Sequence, residues 1–329
     1  MNIEVPNYPA PDFDAPPVLA LVIPCYNESE SLPVTTPVLL EILDRLTAAG
    51  SISSESYMLC VDDGSRDDTW NIIKTLNSSD GRVRGIALAR NRGHQNALLA
   101  GLMEVIGRCD AAISLDADLQ DDPEAIVAMV EEYHKGNDIV YGVRSARTTD
   151  TAFKRTSAHA FYSLQKAMGL ETVYDHADYR LMSDRALRVL AMYGETNLFL
   201  RGIVPQIGFR TAVVHYERNP RVAGVSKYPL SKMLSLSIDG ITSFSAKPMR
   251  WIFYTGMVTF AVTLLVAVYV LCSYLFGENT MAGWTSIMLS VWCLGSLILM
   301  SIGIVGEYIG KIFAEVKHRP RYVVREAVW

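Results

Sequence analysis

The stretch V-L-A-L-V-I-P-C-Y-N-E, residues 18–28, joins an apolar run to a polar cluster. A short apolar run that contains β-branched residues and is bounded by turn-forming residues is typical of a buried strand. In sheets of parallel strands, ligands bind just beyond the carboxyl ends of the strands. This stretch therefore predicts a first strand at residues 18–25, in an α/β sheet with a binding site at its end.

The same pattern repeats through the first 217 residues. Further strands are predicted at residues 57–61, 83–89, 111–115 and 138–143. Helical patterns separate them at residues 32–49, 67–76, 94–106 and 123–134, with Asp67 as a candidate N-cap and Pro123 at a helix start. Strands that alternate with helices predict a doubly wound α/β sheet.

Composition limits the possible classes of protein. Half of the 329 residues are apolar and 20% are charged, which is too hydrophobic for a disordered chain and unusual for a purely soluble one. The five cysteines are widely spaced and include no C-x-x-C pair, which argues against a disulfide framework or a zinc site. The net charge is −11 for residues 1–217 and +6 for residues 218–329. We expect the basic part to meet anionic lipid, and we expect no nucleic-acid partner.

Two long uncharged stretches lie near the carboxyl terminus, at residues 251–277 and 279–306. Each exceeds the roughly 20 apolar residues that cross a bilayer. They predict two transmembrane helices, at about 251–277 and 283–306, although two buried core helices would show the same composition. Lys and Arg residues flank the pair, whereas only Glu278 lies between the two stretches, so the positive-inside rule places both chain ends in the cytoplasm.

Three polar clusters follow predicted strands: P-C-Y-N-E at 24–28, D-D-G-S at 62–65 and D-A-D-L-Q-D at 116–121. A carboxylate can accept the N–H donors of a nucleotide base, and a D-x-D turn supplies oxygen ligands for Mg²⁺ or Mn²⁺. Each cluster alone is weak evidence, because Asp is common in turns. Their order at successive strand ends favours a nucleotide site with a divalent metal. No G-x-G-x-x-G follows the first strand and no P-loop motif occurs, which disfavours ordinary dinucleotide and P-loop chemistry.

The motifs V-I-P-C-Y-N-E (22–28), V-D-D-G-S (61–65), A-R-N-R-G (89–93) and L-D-A-D-L-Q-D (115–121) resemble glycosyltransferase family 2. The resemblance extends through Y-G-V-R (141–144), D-Y-R-L-M (178–182), R-V-A-G-V-S-K-Y (221–228) and G-E-Y-I-G-K-I (306–312). It covers residues 18–323. The subgroup that the chain resembles is the membrane-anchored polyprenyl-phosphate glycosyltransferases, which include bactoprenol glucosyltransferases and dolichol-phosphate mannose synthases.

This resemblance implies an α/β fold of the GT-A type and a role for each matching residue. The implied nucleotide-binding residues are Pro24, Tyr26, Asn27, Glu28, Asp62 and Asp63. Those implied to hold Mg²⁺ or Mn²⁺ are Asp116, Asp118 and Gln120, and the catalytic set is Asp116, Asp118 and Arg144. Arg144 follows the fifth strand, where a guanidinium can fork onto phosphate oxygens, although a surface arginine is the plainer interpretation.

Cations later in the chain suit an acceptor phosphate: Lys154, Arg155, Arg201, Arg218, Arg221, Ser226 and Lys227 form this predicted set, with Ser226 as its hydroxyl member. Alternatives stay open for most of them. Residues 153–168 also read as a packed helix, and residues 218–227 as a solvated basic loop. Arg180 and Arg201 would serve equally as structural ion pairs. His94 and His176 are isolated histidines and receive no catalytic role.

The domain organisation follows from these assignments. We expect a leader at 1–17 without a signal-peptide pattern, a cytosolic GT-A domain at 18–227 and an interfacial amphipathic helix or linker helix at 228–248. Two spans follow within 249–312, and then a cytosolic basic tail at 313–329. The chain is thus expected to be a multi-pass protein of the inner membrane. Gly295, Gly303, Gly306 and Gly310 suit helix association, which favours a homo-oligomer.

The implied reaction is inverting transfer of a sugar to a polyprenyl phosphate, most simply glucose from UDP-glucose to undecaprenyl phosphate. UDP-N-acetylglucosamine, a modified pentose donor or GDP-mannose would require few changes. A processive polysaccharide synthase is disfavoured because K-P-M-R-W at 247–251 lacks the Gln of a Q-x-x-R-W motif. An alternative of another class is a non-catalytic nucleotide-sugar sensor, or a membrane scaffold or flippase subunit.

Overall fold

The computed structural model describes residues 8–144, 176–195, 199–217 and 284–329, with scattered residues between 249 and 272. These residues fall into two compact units. One contains the sheet, up to residue 217 and again from 319, and the other contains the described residues from 249 to 318.

Eight strands of the first unit form one sheet. They are β1 (Leu19–Cys25), β2 (Tyr57–Asp62), β3 (Val83–Leu88), β4 (Ala111–Ser114), β5 (Ile139–Arg144), β6 (His176–Ser183), β7 (Thr211–Tyr216) and β8 (Val324–Val328). Their order across the sheet is β7-β5-β6-β4-β1-β2-β3-β8. The neighbours β4, β1, β2 and β3 are parallel, as are β5 and β7, whereas β6 and β8 run antiparallel to their neighbours. The sheet is therefore mixed.

The described helices of this unit are α1 (Leu32–Ala48), α2 (Thr69–Ser79), α3 (His94–Glu104), α4 (Ala125–His134), α5 (Asp184–Ala191) and the single turn α6 (Leu200–Ile203). A 3₁₀ turn, Val204–Ile207, follows α6. Helix α1 buries Leu39, Leu43 and Leu46, which lie at the i, i+4, i+7 spacing of one helix face. Every residue of β1 and β2 is buried, as expected for central parallel strands that are covered on both faces.

The predicted α/β class and its strand–helix alternation are confirmed. The five predicted strands are observed to within one residue at each end, and the four predicted helices to within three. Helix α2 begins at Thr69 rather than Asp67, but the Asp67 carboxylate still accepts the Thr69 N–H at 3.1 Å. The structure adds β6, β7 and β8, for which the sequence pattern predicted no strand.

Strand β8 lies within residues 313–329, which were predicted to be a basic tail, and it pairs with the sheet. Residues 324–328 pair antiparallel with β3, and the Ala89 N–H donates to the Val323 carbonyl at 2.8 Å. The indole N–H of Trp70 donates to Glu326 at 2.8 Å, and the Arg108 guanidinium lies 4.0 Å from the Trp329 ring centroid. The end of the chain therefore covers the edge of the sheet.

The second unit contains the long helix α7, Trp284–Val316. Its 33 residues make it about 50 Å long, and its stretch Leu297–Val316 is long and apolar enough to cross a bilayer. The helix begins where the second span was predicted and continues ten residues beyond residue 306. The first predicted span lies largely outside the described residues, although those described between 251 and 272 are helical. The two-helix hairpin is therefore not confirmed, and residues 228–248 lie outside the described part.

Candidate active site

Strands β1 and β2 end side by side. Cys25 is paired in register with Asp62, and the Asp63 N–H donates to the Cys25 carbonyl at 2.8 Å. The loops that follow both strands therefore start from the same edge of the sheet, as predicted for parallel neighbours.

Reciprocal hydrogen bonds join these two loops. The Asn27 N–H donates to the Ser65 hydroxyl at 3.0 Å, and the Asn27 side-chain oxygen accepts the Arg66 N–H at 2.9 Å. Asn27 has a φ of 56°, a left-handed conformation that Asn tolerates better than most residues. Tyr26, beside it, is 41% exposed. An aromatic ring is thus held at the surface of a fixed turn.

The Asp62 and Asp63 carboxylates bond to backbone N–H groups. Asp62 accepts from Ser65 at 3.0 Å, and Asp63 accepts from Arg92 at 2.7 Å and from Gly93 at 2.9 Å. Both aspartates are almost fully buried. Burial raises the pKa of Asp63, although the two backbone N–H groups oppose the shift. These bonds fix the loop that leads into α3, and the nucleotide contacts implied for the two aspartates remain predictions.

Gly64 lies between this aspartate pair and the loop at residues 90–93. Its φ is +65°, and a Cβ there would come within 2.6 Å of the Asn91 nitrogen and 2.7 Å of the Arg90 carbonyl carbon. Both the backbone conformation and the close approach therefore require glycine.

The D-A-D-L-Q loop follows β4. The Thr35 hydroxyl of α1 donates to the Ala117 carbonyl at 2.6 Å, and both residues are buried. Asp116 and Asp118 thus flank a fixed point of the loop. Asp118 accepts the Gln120 N–H at 3.1 Å, and Leu119 between them has a φ of 51°. The turn that the D-x-D pattern predicted is present at the predicted sheet edge.

His94, the first residue of α3, faces two carboxylates. Its Nε2 lies 3.7 Å from an Asp116 oxygen and 3.5 Å from an Asp178 oxygen. Gly93, held by Asp63, precedes it directly. The loop after β3, the loop after β4 and the start of β6 therefore meet at one histidine.

Asp178 is the most heavily bonded carboxylate of this group. It accepts hydrogen bonds from Arg180 at 2.6 Å and from Arg201 at 3.3 Å, in addition to its contact with His94. Burial opposes ionisation, but His94 and the two arginines outweigh it and hold the pKa of Asp178 well below its usual range. Arg201 therefore forms the ion pair that was one of its two interpretations, while 42% of its side chain stays exposed.

The pKa of Asp116 is shifted in the opposite direction to that of Asp178. Partial burial and the charges of Asp121, Asp178 and Asp118 raise the pKa of Asp116 to about 6, although His94 opposes the shift. Burial lowers the pKa of His94, but the hydrogen bond to Asp178 and the charge of Asp116 outweigh it, so the net shift is upward. Negative charge thus accumulates around Asp116.

This donor set fits a hard divalent cation. Carboxylate and amide oxygens are the ligands that Mg²⁺ and Mn²⁺ prefer, and a cation would relieve the repulsion that raises the pKa of Asp116. Within the described ranges, no three His, Cys, Asp or Glu side chains form a metal-binding group. Mg²⁺ commonly binds one or two carboxylates together with substrate phosphates, so the protein need not supply a complete set of ligands.

Arg144, at the end of β5, bonds to Asp121. Its Nη2 lies 3.1 Å and its Nε 3.3 Å from Asp121 Oδ1, and its Nε also lies 3.3 Å from the Tyr216 hydroxyl oxygen. The Tyr216 hydroxyl donates to the same Asp121 oxygen at 2.7 Å. Burial opposes a charged guanidinium, but Asp121 and Tyr216 raise the pKa of Arg144 overall. Arg144 is therefore a half-buried, oriented cation beside the D-A-D-L-Q-D loop.

The structure brings together the predicted residues of the loops after β1, β2 and β4, with Arg144 and Arg201 close to the last of these. Pro24 is buried within β1, and Glu28 bonds to the Ser31 hydroxyl at 2.6 Å. The other predicted acceptor residues lie outside the described residues: Lys154, Arg155, Arg218, Arg221, Ser226 and Lys227.

Comparison with known proteins identifies the family. A family model described as glycosyl transferase family 2 matches residues 20–191, just over half of the chain. The uncharacterized glycosyltransferase YkoT of Bacillus subtilis (strain 168) is 50% identical over 308 residues, which are 94% of this chain and 91% of that protein. The chain belongs to glycosyltransferase family 2.

Two further likenesses differ in weight. The SfII prophage-derived bactoprenol glucosyl transferase of Shigella flexneri is 36% identical to this family 2 glycosyltransferase over 310 residues, 94% of this chain and 98% of the relative. Among solved structures, glucosyl-3-phosphoglycerate synthase from Mycobacterium tuberculosis, in complex with Mn²⁺ and UDP-glucose, aligns with a TM-score of 0.45 and 16% identity over 72% of this chain and 83% of that one. The structural likeness is too low to carry an argument about this glycosyltransferase.

Several residues of the candidate site have no role predicted from the sequence. The sequence predicts no role for His94, Asp121 or Tyr216, and it indicates Asp178 only as part of a motif. The signal for Asp178 and Asp121 was their place inside matching motifs. His94 and Tyr216 have no local signal, because their roles depend on neighbours that are distant in sequence.

Proposed function

We propose that this family 2 glycosyltransferase transfers a sugar from a nucleotide donor to a polyprenyl phosphate, with glucose from UDP-glucose as the favoured donor. The observation that carries the proposal is the 36% identity to a bactoprenol glucosyl transferase across 94% of this chain and 98% of the relative. The carboxylate cluster at the sheet edge supports it, because transfer from a nucleotide sugar releases a diphosphate whose charge must be neutralised.

The donor nucleotide is proposed to lie over the loops after β1 and β2. Exposed Tyr26 offers a ring face, and Asn27 and Ser65 hold that turn in place. Glu28 and Asp62 are the proposed polar contacts, with Pro24 and Asp63 as part of the floor beneath them.

Asp116, Asp118 and Gln120 are the proposed ligands of Mg²⁺ or Mn²⁺. When bound, the cation would neutralise charge on the departing diphosphate. The Thr35 bond to the Ala117 carbonyl holds the backbone between the two aspartates, which supports a preorganised site. Arg144 supplies a second, permanent positive charge beside this loop.

The acceptor phosphate needs no strong general base in this proposal. A phosphate monoester has a second pKa near 6, so its oxygen is already anionic at neutral pH. That oxygen attacks the anomeric carbon, the bond from this carbon to the diphosphate oxygen breaks, and the nucleoside diphosphate leaves with the electron pair. A single displacement inverts the configuration.

Membrane attachment fits a lipid acceptor. Helix α7 contains a stretch that can cross a bilayer, and the proposed acceptor set continues into the basic segment before the predicted spans. We propose an inner-membrane enzyme with two spans, with the sheet unit and both termini in the cytoplasm. The proposed domain bounds are those given in the sequence analysis.

A donor panel tests the proposal. The full chain, purified in detergent, is incubated with radiolabelled UDP-glucose, UDP-N-acetylglucosamine or GDP-mannose, Mn²⁺ and undecaprenyl phosphate. The label that partitions into organic solvent is then counted. Undecaprenol without the phosphate is the matched control acceptor. We expect label from one donor, only with the phosphate. Equal transfer to the alcohol would contradict the phosphate acceptor, and binding of the nucleotides with no transfer from any donor would favour a non-catalytic sensor.

A further inference from the structure

Three side chains form a closed hydrogen-bonded cluster at the end of the D-A-D-L-Q-D loop. Asp121, Arg144 and Tyr216 each contact the other two, with separations of 2.7–3.3 Å. Asp121 and Tyr216 are buried, whereas 28% of the Arg144 side chain is exposed. The guanidinium is therefore anchored by two buried side chains, while part of the Arg144 side chain stays exposed.

The fold places these residues with little freedom. Arg144 and Tyr216 are the last residues of the parallel neighbours β5 and β7 and are paired in register. The Tyr216 ring packs edge-on against Tyr179, with ring centroids 5.3 Å apart. A Cβ at Gly142 would come within 3.1 Å of the Tyr216 ring and 2.9 Å of the Tyr179 carbonyl oxygen. The ring thus fits into a space that only glycine leaves open.

The cluster holds one edge of the guanidinium. The Nε and Nη2 groups of Arg144 point to Asp121 and Tyr216. Within the ranges that the structure describes, Nη1 has no hydrogen-bond partner in the protein. Because a guanidinium is planar and rigid, fixing one edge fixes the direction of the other. The direction of the remaining N–H groups of Arg144 is therefore fixed by the cluster.

We propose that Asp121 and Tyr216 are positioning residues that aim Arg144 at the diphosphate of the nucleotide. The inference rests on the proposed function, because it takes the ligand of Arg144 to be the nucleotide diphosphate. Asp121 comes directly after Gln120 of the D-A-D-L-Q turn, so the anchor of the arginine and the proposed metal ligands lie on one loop. Phosphate oxygens suit the guanidinium edge that none of the described residues bonds, since arginine binds phosphate through pairs of N–H groups.

The cluster also occurs where two strands lead into the proposed acceptor segments. Residue 145 follows Arg144, and residue 218 comes two positions after Tyr216. Asp121 therefore contacts the last residue of each of these two strands, Arg144 and Tyr216. A change at Asp121 or Tyr216 is expected to act through Arg144 and not by contact with the sugar.

A double-mutant cycle tests the inference with the full chain in detergent. Calorimetry measures the Kd of UDP and of GDP, each with Mn²⁺, for the wild type, Tyr216→Phe, Arg144→Lys and the double variant. Tyr216→Phe keeps the ring and removes only the hydroxyl. We expect each single variant to weaken binding about tenfold, the loss of one hydrogen bond to a charged group. We expect the double variant to bind within about twofold of Arg144→Lys, because Tyr216 acts through that arginine.

Tyr133→Phe is the matched control. Tyr133 is also a buried tyrosine, and its hydroxyl has no partner among the described residues, so its variant should bind nucleotide like the wild type. Asp121→Asn replaces Tyr216→Phe in the cycle if the latter does not fold. Losses that multiply to about a hundredfold in the double variant would overturn the inference. An unchanged Kd in Tyr216→Phe with a lowered Tm would also overturn it, because that is the result of a purely structural role.

The cycle separates this inference from the proposed function. Binding of a nucleoside diphosphate requires neither a lipid nor sugar transfer. Coupled losses in Kd without transfer to undecaprenyl phosphate would support the positioning role and contradict the acceptor. Transfer to undecaprenyl phosphate with independent losses in Kd would support the acceptor and contradict the positioning role. No binding of either nucleotide to the wild type would overturn the positioning role and the proposed function together.

Discussion

Asp118 and Asp63 both end up in loops at the sheet edge, but their carboxylates differ in what they bond to. Both Asp63 oxygens accept backbone N–H groups of the next loop, whereas Asp118 accepts the Gln120 N–H within its own turn. The Asp63 carboxylate therefore supports the neighbouring loop, and the Asp118 carboxylate is a candidate metal ligand. In sequence, both are aspartates of a motif that follows a strand. The hydrogen-bond partners in the structure distinguish the two residues.

Asp118→Asn is expected to abolish metal-supported transfer while the fold stays intact. In the wild type, Asp118 accepts the Gln120 N–H at 3.1 Å, and the amide oxygen of the variant can still accept it. The negative charge that would attract the cation is lost. We expect turnover to fall by about 10²-fold or more, with an unchanged Tm. Asp122→Asn is the control, since Asp122 makes the same kind of turn to the Glu124 N–H at 3.1 Å. Full activity of a folded Asp118→Asn enzyme would contradict the metal assignment.

Gly64→Ala is expected to destabilise the sheet unit. The substitution places a Cβ at a φ of +65°, within 2.6 Å of the Asn91 nitrogen. The left-handed conformation alone costs about 1–2 kcal/mol for alanine, and the contact adds to it. Gly81→Ala, where nothing lies within 4 Å of an added Cβ, should change the free energy of unfolding far less. Equal stability of the two variants in urea would show that the Gly64 contact is not required.

For individual residues, the sequence predicted which ones lie at the sheet edge better than it predicted their contact partners. The D-x-D turn was placed correctly because its residues are neighbours in the chain. The contact of His94 with Asp116 and the bond from Thr35 to Ala117 join residues 22 and 82 positions apart in the chain. No periodicity or local motif encodes such pairs, so the structure was needed to find them.

Among the secondary-structure elements, those with a strong local pattern were predicted and the others were not. The five predicted strands are apolar runs with polar ends. Strand β6 contains Asp178 and Arg180, whose charges interrupt its apolar pattern and face the site. Strand β8 is an edge strand with the sequence V-R-E-A-V and four exposed residues of five. Edge strands often carry charges, and this makes them hard to distinguish from tails in sequence.

Asp67 links the loop after β1 to the start of α2, and its contribution should depend on pH. Partial burial opposes ionisation, but hydrogen bonds from Thr69 and Ser29 lower the pKa of Asp67 below its ordinary value of 3.8. A lowered pKa in the folded state stabilises the fold above the ordinary value, and this stabilisation is lost as the pH falls through the folded value.

We therefore expect Asp67→Ala to lower the Tm at pH 7 by about 2–4 °C, because the hydrogen bonds from Ser29 and Thr69 are lost. The difference from the wild type should shrink as the pH falls below about 4. Thermal unfolding followed by circular dichroism between pH 3 and pH 7 measures it, with Asp68→Ala as the control in the same loop. A difference that grows toward low pH would have the wrong sign for this account.

Trp329 is expected to hold β8 against the sheet. Its ring centroid lies 4.0 Å from the Arg108 guanidinium and 5.4 Å from that of Arg84. Trp329→Ala should reduce the free energy of unfolding by about 1–2 kcal/mol, whereas Trp329→Phe should retain part of it. Hydrogen exchange at the β3–β8 backbone pairs would locate the effect. An unaltered exchange rate in Trp329→Ala would place the anchoring of β8 elsewhere, for example in the Glu326–Trp70 bond.

In the whole molecule, one chain contains both the mixed sheet and a long apolar helix. The last described residue of the sheet unit before the apolar segment is Glu217, and the unit continues at Arg319, after α7 has ended at Val316. Composition predicted both parts, since an acidic α/β pattern and long uncharged stretches are visible in the sequence. Composition did not predict that the chain returns to complete the sheet, because strand pairing across 230 or more residues leaves no local trace.

The proposed function depends above all on transfer of the sugar to the lipid phosphate. The most direct test is mass spectrometry of the lipid after purified full-length enzyme is incubated with UDP-glucose, undecaprenyl phosphate and Mn²⁺, with released UDP counted in parallel. We expect the lipid to gain the mass of one hexosyl residue on its phosphate, with one UDP released for each product. Release of UDP with an unmodified lipid, or a hexosyl residue attached to any other group, would contradict it.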